Sequence, residues 1–259
     1  MTESYYILSH KPVEYNCNLG KYKTLQCGAE LNEKFGDVLD NTGDNISEKN
    51  KYFVETTGIY WIWKNCNSDI KGHTQYRRFL SVNLDFVPQI LEEYDIILAS
   101  PVTWNFPLER VYSFTHNIND LCDCEKIIKE RYQDYSDAYD FTMKRNEYLY
   151  FSNSFIAKKD TYDKLCEFCF SILKEFENMH NFKCYEDVYE HEKSYCDRTK
   201  FPEQIINDFK TGHPDIDDMT AIQSWVFGYL FERLLNIYVR KNNLKVYDCG
   251  KYVTNMTKN

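Results

Sequence analysis

The sequence predicts an α/β sandwich with a mixed central sheet and several extra helices late in the chain. Short apolar runs of strand length alternate with longer amphipathic segments along most of the 259 residues, which is typical of a sheet covered by helices. Because 43% of the residues are hydrophobic, the chain can bury one sizeable core. We therefore expect a single domain over 1–259, with about 248–259 as a mobile tail.

The first third of the chain predicts strands that alternate with one helix. The apolar run 5–9 predicts a strand that stops at His10-Lys11-Pro12, and a second short element lies within 22–31. The polar stretch 40–50 predicts a loop, since it is dense in Asp and Asn. The aromatic-rich stretch 52–65 predicts a helix, and 69–79 predicts a strand that ends at Arg77-Arg78.

The rest of the chain is richer in helical patterns. Apolar spacing predicts helices over 120–132, 137–148, 160–177 and 219–241, the third of them capped by Asp160. The continuous apolar run 95–99 and the segments 150–157 and 244–247 predict strands. Residues 178–211 show no clear period, which is compatible with a long loop or with an excursion that binds a ligand.

Composition and charge argue against two classes of protein. The net charge of −9 does not suit a general nucleic-acid binder, which needs a basic stripe. No apolar run approaches the roughly twenty residues of a membrane-spanning helix, and residues 1–5 lack the basic start of a signal peptide. We expect a cytoplasmic protein with at most peripheral membrane contact. The ten scattered cysteines are then reduced thiols, and Cys166 and Cys169, inside a helical pattern, pack in the core.

Arg77 and Arg78 are the first candidates for a binding site. A polar loop, a helix and a strand that ends in two guanidinium groups supply the parts of an anion pocket, because arginine donates two parallel hydrogen bonds and stays charged. A structural alternative stands beside this one. Adjacent residues of a strand point to opposite faces, so either arginine can instead pair with a surface carboxylate.

A series of short motifs runs in order over nearly the whole chain: Ser9-His10-Lys11-Pro12, Gln26 with Gly28, Asp40-Asn41-Thr42-Gly43-Asp44-Asn45-Ile46-Ser47, Tyr60-Trp61-Ile62-Trp63-Lys64-Asn65, Gly72 with Tyr76-Arg77-Arg78, His116-Asn117-Ile118, Asn153 with Phe155-Ile156, Gln223 with Phe227-Gly228, and Glu232-Arg233-Leu234. Together they resemble a bacterial family long catalogued as a domain of unknown function. Its members lie in capsule and exopolysaccharide loci and are regarded as glycosyltransferases of the GT-A type. Two positions depart from the family pattern: Gln75 stands where it has His, and Trp225 where it tends to have Arg.

The resemblance implies a GT-A-like fold with a nucleotide-sugar donor bound beyond the carboxyl end of the first strand. The residues that it assigns to the donor are Ser9, His10, Lys11, Asp44, Asn45, Tyr76, Arg77, Arg78, His116 and Asn153. Alternatives stay open for several of them. His10 also fits a solvated turn, Asp44 and Asn45 also fit the cap of the next helix, and His116 also fits a polar helix start.

Trp104 and Gln223 are the candidates for binding the acceptor. Trp104 lies in a predicted loop, where an exposed indole offers a stacking platform for a sugar face; a packed core position is the alternative. Gln223 is assigned by the resemblance alone. The acceptor that the resemblance implies is a glycan or a lipid-linked oligosaccharide used in polysaccharide biosynthesis.

Asp215, Asp217 and Asp218 form the densest carboxylate group of the chain. Asp215 and Asp217 make an Asp-x-Asp, the pattern by which many GT-A enzymes hold Mn²⁺ against a donor diphosphate, and Mg²⁺ suits the same oxygens. The group immediately precedes the last long helix, however, where Asp217 or Asp218 serves equally as an N-cap. A catalytic base for the acceptor hydroxyl is a third role open to Asp217 and Asp218.

We expect a glycosyltransferase that moves a sugar from a nucleoside-diphosphate sugar, with UDP as the commonest nucleotide, and that requires no metal cofactor. In this hypothesis Arg77 and Arg78 occupy the place of the Asp-x-Asp and neutralise the departing diphosphate. The alternative is a non-catalytic carbohydrate-binding or scaffold protein on the same fold.

Overall fold

The computed structural model of the protein describes residues 1–196, 218–254 and 256. The strands of this part of the chain are β1 (Glu3–Ser9), β2 (Tyr22–Gln26), β3 (Val38–Leu39), β4 (Ile70–Gln75), β5 (Ile96–Leu98), β6 (Val102–Thr103), β7 (Tyr148–Leu149), β8 (Phe155–Lys158) and β9 (Val246–Asp248). Seven of them form one sheet in the order β3-β2-β1-β4-β8-β5-β9, and β6 pairs with β7. The sheet contains parallel and antiparallel pairs, so the predicted mixed central sheet is confirmed.

The parallel strands of the sheet direct several carboxyl ends to one edge. β1 pairs in parallel with both β2 and β4, and Leu8 lies opposite Gln75. β8 runs antiparallel to β4 with His73 opposite Phe155, so the residues just before β8 lie beside the carboxyl end of β4. We call the edge formed by the carboxyl ends of β1, β2 and β4 the strand-end edge.

Helices cover both faces of the sheet. They are α1 (Asn50–Phe53), α2 (Thr56–Asn65), α3 (Val87–Glu93), α4 (Leu108–Thr115), α5 (Ile118–Arg131), α6 (Ser136–Lys144), α7 (Lys159–His180), α8 (Tyr185–Cys196), the short helix Met219–Gln223 and the C-terminal helix Val226–Lys241. Residues of α3 join a smaller apolar cluster, and residues of α2, α5, α7 and the C-terminal helix join a larger one. In β1, Tyr5 belongs to the smaller cluster and Tyr6 to the larger, as expected of a strand buried on both faces.

α2 packs directly on β1 and β2 because one of its residues has no side chain. A Cβ atom at Gly58 would lie 2.7 Å from Sγ of Cys27 and 2.9 Å from Cδ2 of Leu8. Both distances are shorter than van der Waals contact, so glycine is required for this close approach. This close packing holds the start of α2 next to the strand-end edge. It therefore also places Glu55, the residue just before α2, at that edge.

Two predicted helices are interrupted. The stretch 52–65 divides into α1 and α2 because Val54 has a φ of 48°, which a right-handed helix does not contain. The stretch 219–241 divides into Met219–Gln223 and the C-terminal helix, with Trp225 at the N-cap position of the latter. The apolar spacing continues across both breaks, so the sequence pattern did not reveal them.

Three other boundaries differ from the predictions. Asp160 lies in the first turn of α7 and is not its cap; Lys158 occupies the N-cap position. β8 begins only at Phe155, because Ser152 and Asn153 have φ of 80° and 46°, which a strand excludes. α8 occupies part of the stretch that lacked a clear period.

The last described residues are attached to the segment that follows β4. Val253 and Phe79 exchange two backbone hydrogen bonds of 2.9 Å. The hydroxyl of Tyr252 donates to the carbonyl of Phe151 at 2.7 Å. The segment predicted as a tail is therefore hydrogen bonded to the body of the protein at several positions of 248–253.

Within the described residues, no helix is both long enough and apolar enough to cross a membrane. All ten cysteines are free thiols. Cys166 and Cys169 are buried in the larger apolar cluster, and burial raises the pKa of both thiols well above the usual range. The predicted core position of this pair is confirmed.

Candidate active site at the strand-end edge

The strand-end edge brings together the first residues predicted for the site. Ser9 ends β1 opposite Gln26 of β2, and its hydroxyl donates to the carbonyl of Lys11 at 2.6 Å, which holds the turn after the strand. The exposed ring of His10 packs edge-on against Tyr76, with 5.4 Å between the ring centroids. The segments that leave β1 and β4 therefore lie side by side.

The two arginines follow β4 in a tight turn instead of lying on the strand. The backbone N–H of Arg78 donates to the carbonyl of Gln75 at 3.0 Å, and its guanidinium donates to Oε1 of Gln75 at 3.2 Å. Arg78 also lies 5.2 Å from the ring centroid of Phe151. The exposed Arg77 lies 5.0 Å from the ring centroid of Tyr76. Aromatic contacts thus orient both cations at the strand-end edge.

A half-buried carboxylate that was not among the predicted site residues lies next to this turn. Oε1 of Glu55 accepts hydrogen bonds from Nε2 of Gln75 at 2.8 Å and from Nδ2 of Asn153 at 3.0 Å. Oε1 of Gln75 accepts a bond from the hydroxyl of Ser152 at 2.9 Å. We call Glu55, Gln75, Ser152 and Asn153 the Glu55 junction. Through one amide, the junction connects the guanidinium of Arg78 to a carboxylate.

Backbone strain is concentrated at the Glu55 junction. Among the described residues, Val54 and Ser152 are the two that combine positive φ with a residue type other than Gly or Asn, and their φ values are 48° and 80°. Such conformations are unfavourable for residues with a Cβ, above all for a β-branched one. They persist where surrounding contacts hold them, commonly at active sites. The strain makes the junction a candidate functional centre of this edge.

A buried histidine holds the strained turn of the junction. Nε2 of His73 lies 2.6 Å from the carbonyl oxygen of Asn153, and the hydroxyl of Tyr162 lies 3.0 Å from Nδ1. Because a carbonyl only accepts, Nε2 carries the proton and Nδ1 accepts from Tyr162. Burial lowers the pKa of His73 to about 4, so the ring is neutral at neutral pH and keeps this tautomer.

The start of the C-terminal helix completes the junction. The carbonyl of Gly228 accepts a second hydrogen bond from Nδ2 of Asn153 at 3.0 Å. Glu232, one turn later, accepts from the backbone N–H of Ser152 and pairs with Arg233. Burial raises the pKa of Glu232, while the neighbouring Arg233 opposes that shift. Hydrogen bonds to a carboxylate are strong, so Glu232 helps to keep the turn in its strained conformation.

His116 and Gln223, both predicted site residues, meet beside Tyr229 of the C-terminal helix. The ring of His116 stacks on Tyr229 with 3.9 Å between centroids, and its Nδ1 lies 3.1 Å from Oε1 of Gln223. Nε2 of Gln223 donates to the carbonyl of Thr115 at 2.7 Å. Burial, together with the charge of Arg233, lowers the pKa of His116 to about 3. His116 is therefore neutral and offers a hydrogen bond, not a positive charge.

Asp44 and Asn45 lie in the polar loop against α2. Oδ1 of Asp44 accepts from the hydroxyl of Tyr60 at 3.0 Å. Oδ1 of Asn45 accepts from the backbone N–H of Ser47 at 3.2 Å, at the start of the short 3-10 helix Ser47–Lys49. Ile46 occupies the N-cap position of that helix, which has no side-chain cap bond, so neither Asp44 nor Asn45 is its cap. The donor-binding role of both residues stays a prediction.

Trp104 is half-buried and packs against the larger apolar cluster. Its backbone N–H donates to the carbonyl of Glu147 at 2.7 Å. The residues on either side of Glu147, Asn146 and Tyr148, line a cleft of about 270 Å³ whose wall also includes Tyr150. Trp104 itself does not line this cleft. Its contact with an acceptor stays a prediction.

Asp218 occupies the N-cap position of the helix Met219–Gln223. Its carboxylate accepts from the backbone N–H of Thr220 at 2.8 Å and from the hydroxyl of Tyr189 at 2.7 Å. The cap geometry fits the structural alternative that the sequence left open for this residue. Asp215 and Asp217 lie outside the described residues.

The sequence profile of a family described as a domain of unknown function, DUF4422, matches residues 4–196. The chain belongs to this family. No curated protein matches the chain. The predicted membership of a family of unknown-function domains is confirmed, and the DUF4422 match contains the Glu55 junction together with the two arginines.

The fold of this DUF4422 protein is also found in a larger, solved protein. A structure titled as the apo form of WbbM, a bifunctional glycosyltransferase, is similar with a TM-score of 0.69 at 23% sequence identity. The match covers 96% of this chain and 44% of that chain. This chain thus spans less than half of the WbbM chain and shares the fold of that part.

Proposed function

We propose that the protein is a glycosyltransferase that moves a sugar from a nucleoside-diphosphate sugar to a glycan acceptor at the strand-end edge. One arrangement carries the proposal: two guanidinium groups lie in the turn after β4, and Gln75 connects one of them to the carboxylate of Glu55. The fold shared with a protein titled as a glycosyltransferase supports it. UDP is the proposed nucleotide.

Arg77 and Arg78 are the proposed cations for the departing diphosphate. Negative charge develops on the diphosphate as its bond to the sugar breaks, and preorganised cations facing that charge lower the barrier. A guanidinium is well suited because it donates bidentate hydrogen bonds to phosphate oxygens. In this mechanism the arginines take the place of a metal ion. His10 and Tyr76, in contact beside Arg77, complete the proposed donor surface.

Glu55 is the proposed general base. It takes the proton of the acceptor hydroxyl while that oxygen forms a bond to the anomeric carbon and the diphosphate leaves with the electron pair of the broken bond. Gln75 and Asn153 both donate to Oε1 of Glu55 and so orient the carboxylate. Trp104 is the proposed contact for the acceptor, which is a glycan or a lipid-linked oligosaccharide met at a membrane surface.

The ten free thiols fit a reducing compartment, and we propose that the reaction takes place in the cytoplasm. Polysaccharide biosynthesis, as in a capsule, is the proposed context.

A panel of nucleotide sugars tests the proposal directly. The purified protein is mixed with each donor in EDTA and again with Mn²⁺, and its melting temperature and the release of nucleotide are recorded. We expect one donor to raise the melting temperature and to be hydrolysed slowly even in EDTA. A response that needs Mn²⁺ would transfer the role of the arginines to the carboxylates at Asp215, Asp217 and Asp218. Binding of glycans with no response to any donor would favour the non-catalytic carbohydrate-binding alternative.

A further inference from the structure

Three side chains of metal-ligand type meet between α5 and α8. They are Asp120, in the first turn of α5, and the neighbours His191 and Glu192 of α8. One ligand atom of each lies within 4.8 Å of the other two. Nε2 of His191 is 2.7 Å from Oδ1 of Asp120 and 3.7 Å from Oε1 of Glu192. Two helices that are far apart in the sequence thus supply one compact cluster.

The two carboxylates of this cluster are buried and incompletely paired. Asp120 and Glu192 are each 1% exposed. Within the described part of the chain, neither oxygen of Glu192 has a hydrogen-bond partner, and Oδ2 of Asp120 has none. Nε2 of His191, 2.7 Å from Oδ1 of Asp120, is the imidazole nitrogen that this cluster offers to an ion. Buried polar atoms are normally satisfied, so oxygens that face one another without partners indicate a missing positive species.

The same two carboxylates can instead hold a proton. Burial and the neighbouring charge of Asp120 raise the pKa of Glu192 to about 11, because two carboxylates at close range cannot both stay ionised in a dry site. Tyr112, whose buried hydroxyl also has no partner in the described residues, has its pKa raised by burial and by both carboxylates. A proton on Glu192 therefore competes with a metal ion for this pocket, whose geometry and unpartnered buried oxygens suit either.

We propose that Asp120, His191 and Glu192 bind a divalent transition-metal ion. Two carboxylate oxygens and one imidazole nitrogen suit ions of the Zn²⁺, Co²⁺ and Mn²⁺ class better than Ca²⁺ or Mg²⁺, which take oxygen alone. Three protein ligands leave a position for water. This ion is separate from any ion held by a donor diphosphate, and the inference does not depend on the proposed transferase activity.

The proposed ion fastens α8 beside the candidate active site. The hydroxyl of Tyr195, also on α8, donates to the carbonyl of His116 at 3.0 Å, and Tyr189 of the same helix donates to Asp218. A metal bound to His191 and Glu192 on one side and to Asp120 on the other would join these contacts into one anchored surface. The ion therefore stabilises the position of His116.

The competing explanation is a proton shared between Glu192 and Asp120. A shared proton satisfies two oxygens without any metal and predicts that Glu192→Gln behaves like the parent, because its amide donates to Asp120 in the same way. A metal site predicts the opposite for this substitution, since an amide is a much weaker ligand than a carboxylate.

Titration with Co²⁺ distinguishes a metal site from a shared proton. The full chain is stripped with EDTA, exchanged into metal-free buffer and titrated with Co²⁺, while the visible spectrum, the bound equivalents and the melting temperature are followed. We expect one equivalent with a spectrum of nitrogen and oxygen ligands, without the charge-transfer band of thiolates, and a higher melting temperature on binding. Glu192→Gln should weaken binding at least about 100-fold, since changes outside a ligand set already cost about 10- to 100-fold.

Glu190→Gln is the matched control, because Glu190 lies on the same helix with 68% of its side chain exposed. It should bind Co²⁺ like the parent. His191→Gln, at a position that is 23% exposed and therefore less buried than Glu192, replaces Glu192→Gln if the latter does not fold. Absence of binding, a sulfur-ligand spectrum, or equal affinity in the parent and the ligand variant would each overturn the metal site and leave the shared proton.

Discussion

The side-chain amide of Gln75 donates a 2.8 Å hydrogen bond to the carboxylate of Glu55. Its oxygen accepts from the guanidinium of Arg78 and from the hydroxyl of Ser152. One neutral side chain thus lies between an anion and a cation and contacts both. An amide suits this position because it carries a donor and an acceptor at fixed directions. Gln75 is thus engaged through both its nitrogen and its oxygen.

Replacing Glu55 with Gln should abolish most of the transferase activity while the fold is retained. Gln keeps an oxygen that accepts from Gln75 and Asn153, but it cannot take a proton, and a general base contributes about 100- to 10,000-fold. We expect kcat to fall at least about 100-fold with an unchanged melting temperature. Glu48→Gln, an exposed carboxylate on a neighbouring turn, is the control. An active Glu55→Gln enzyme would assign the base elsewhere.

Loss of either arginine should reduce turnover even when EDTA is present. Removing one preorganised donor from developing charge costs about 100- to 1,000-fold in kcat, so we expect a fall in that range for Arg77→Ala or Arg78→Ala. Arg131→Ala serves as the control, because Arg131 pairs with Glu175 of α7 and not with a residue of the Glu55 junction. Full activity in both Arg77→Ala and Arg78→Ala would refute their role at the diphosphate.

Gly228→Ala should destabilise the protein through Val54. A Cβ at Gly228 would lie 2.5 Å from Cγ2 of Val54, and overpacking of this kind costs about 1–3 kcal/mol. The gain of about 1 kcal/mol in helix propensity does not offset it. Val54→Ala removes the clashing methyl, so the double variant should be more stable than the sum of the single changes predicts. Urea unfolding of the four proteins measures this coupling, and strict additivity would contradict the contact.

The buried histidines should make the protein less stable in acid. The pKa of His73 is lowered to about 4 in the folded state, whereas the unfolded chain takes up a proton near pH 6.5. The unfolded state therefore binds more protons between these values, and stability falls as the pH drops through that window, by about 3 kcal/mol in all. His116 acts in the same direction.

His73→Gln tests this linkage, since an amide can still donate to the carbonyl of Asn153 but does not titrate. The free energy of unfolding is measured between pH 7 and pH 4. We expect the free energy of unfolding to fall less steeply with decreasing pH in His73→Gln than in the parent. The difference between the two slopes should correspond to at most one proton taken up on unfolding. Parallel slopes would show that His73 is accessible to protons in the folded protein.

Local pattern predicted the strands that position the site. Residues 5–9 are an apolar run that stops at polar residues, and 69–79 was predicted as a strand that ends in two arginines. Both stretches contain parallel strands whose ends meet. The prediction placed Arg77 and Arg78 on the end of that strand, whereas they lie in the turn after β4. Helices were predicted where apolar spacing was strong, but breaks such as Val54 depend on a single dihedral angle, which spacing does not encode.

The sequence by itself determined the α/β class, the order of the elements that build the sheet and the family that the motifs resemble, because these depend on residue periodicity and on short local motifs. Only the tertiary structure revealed the Glu55 junction and the Asp120–His191–Glu192 cluster. Glu55 and Asn153 are 98 residues apart, and Asp120 and His191 are 71 residues apart. Contacts over such separations arise from chain packing, and a carboxylate becomes a base or a metal ligand only through the neighbours that packing brings to it.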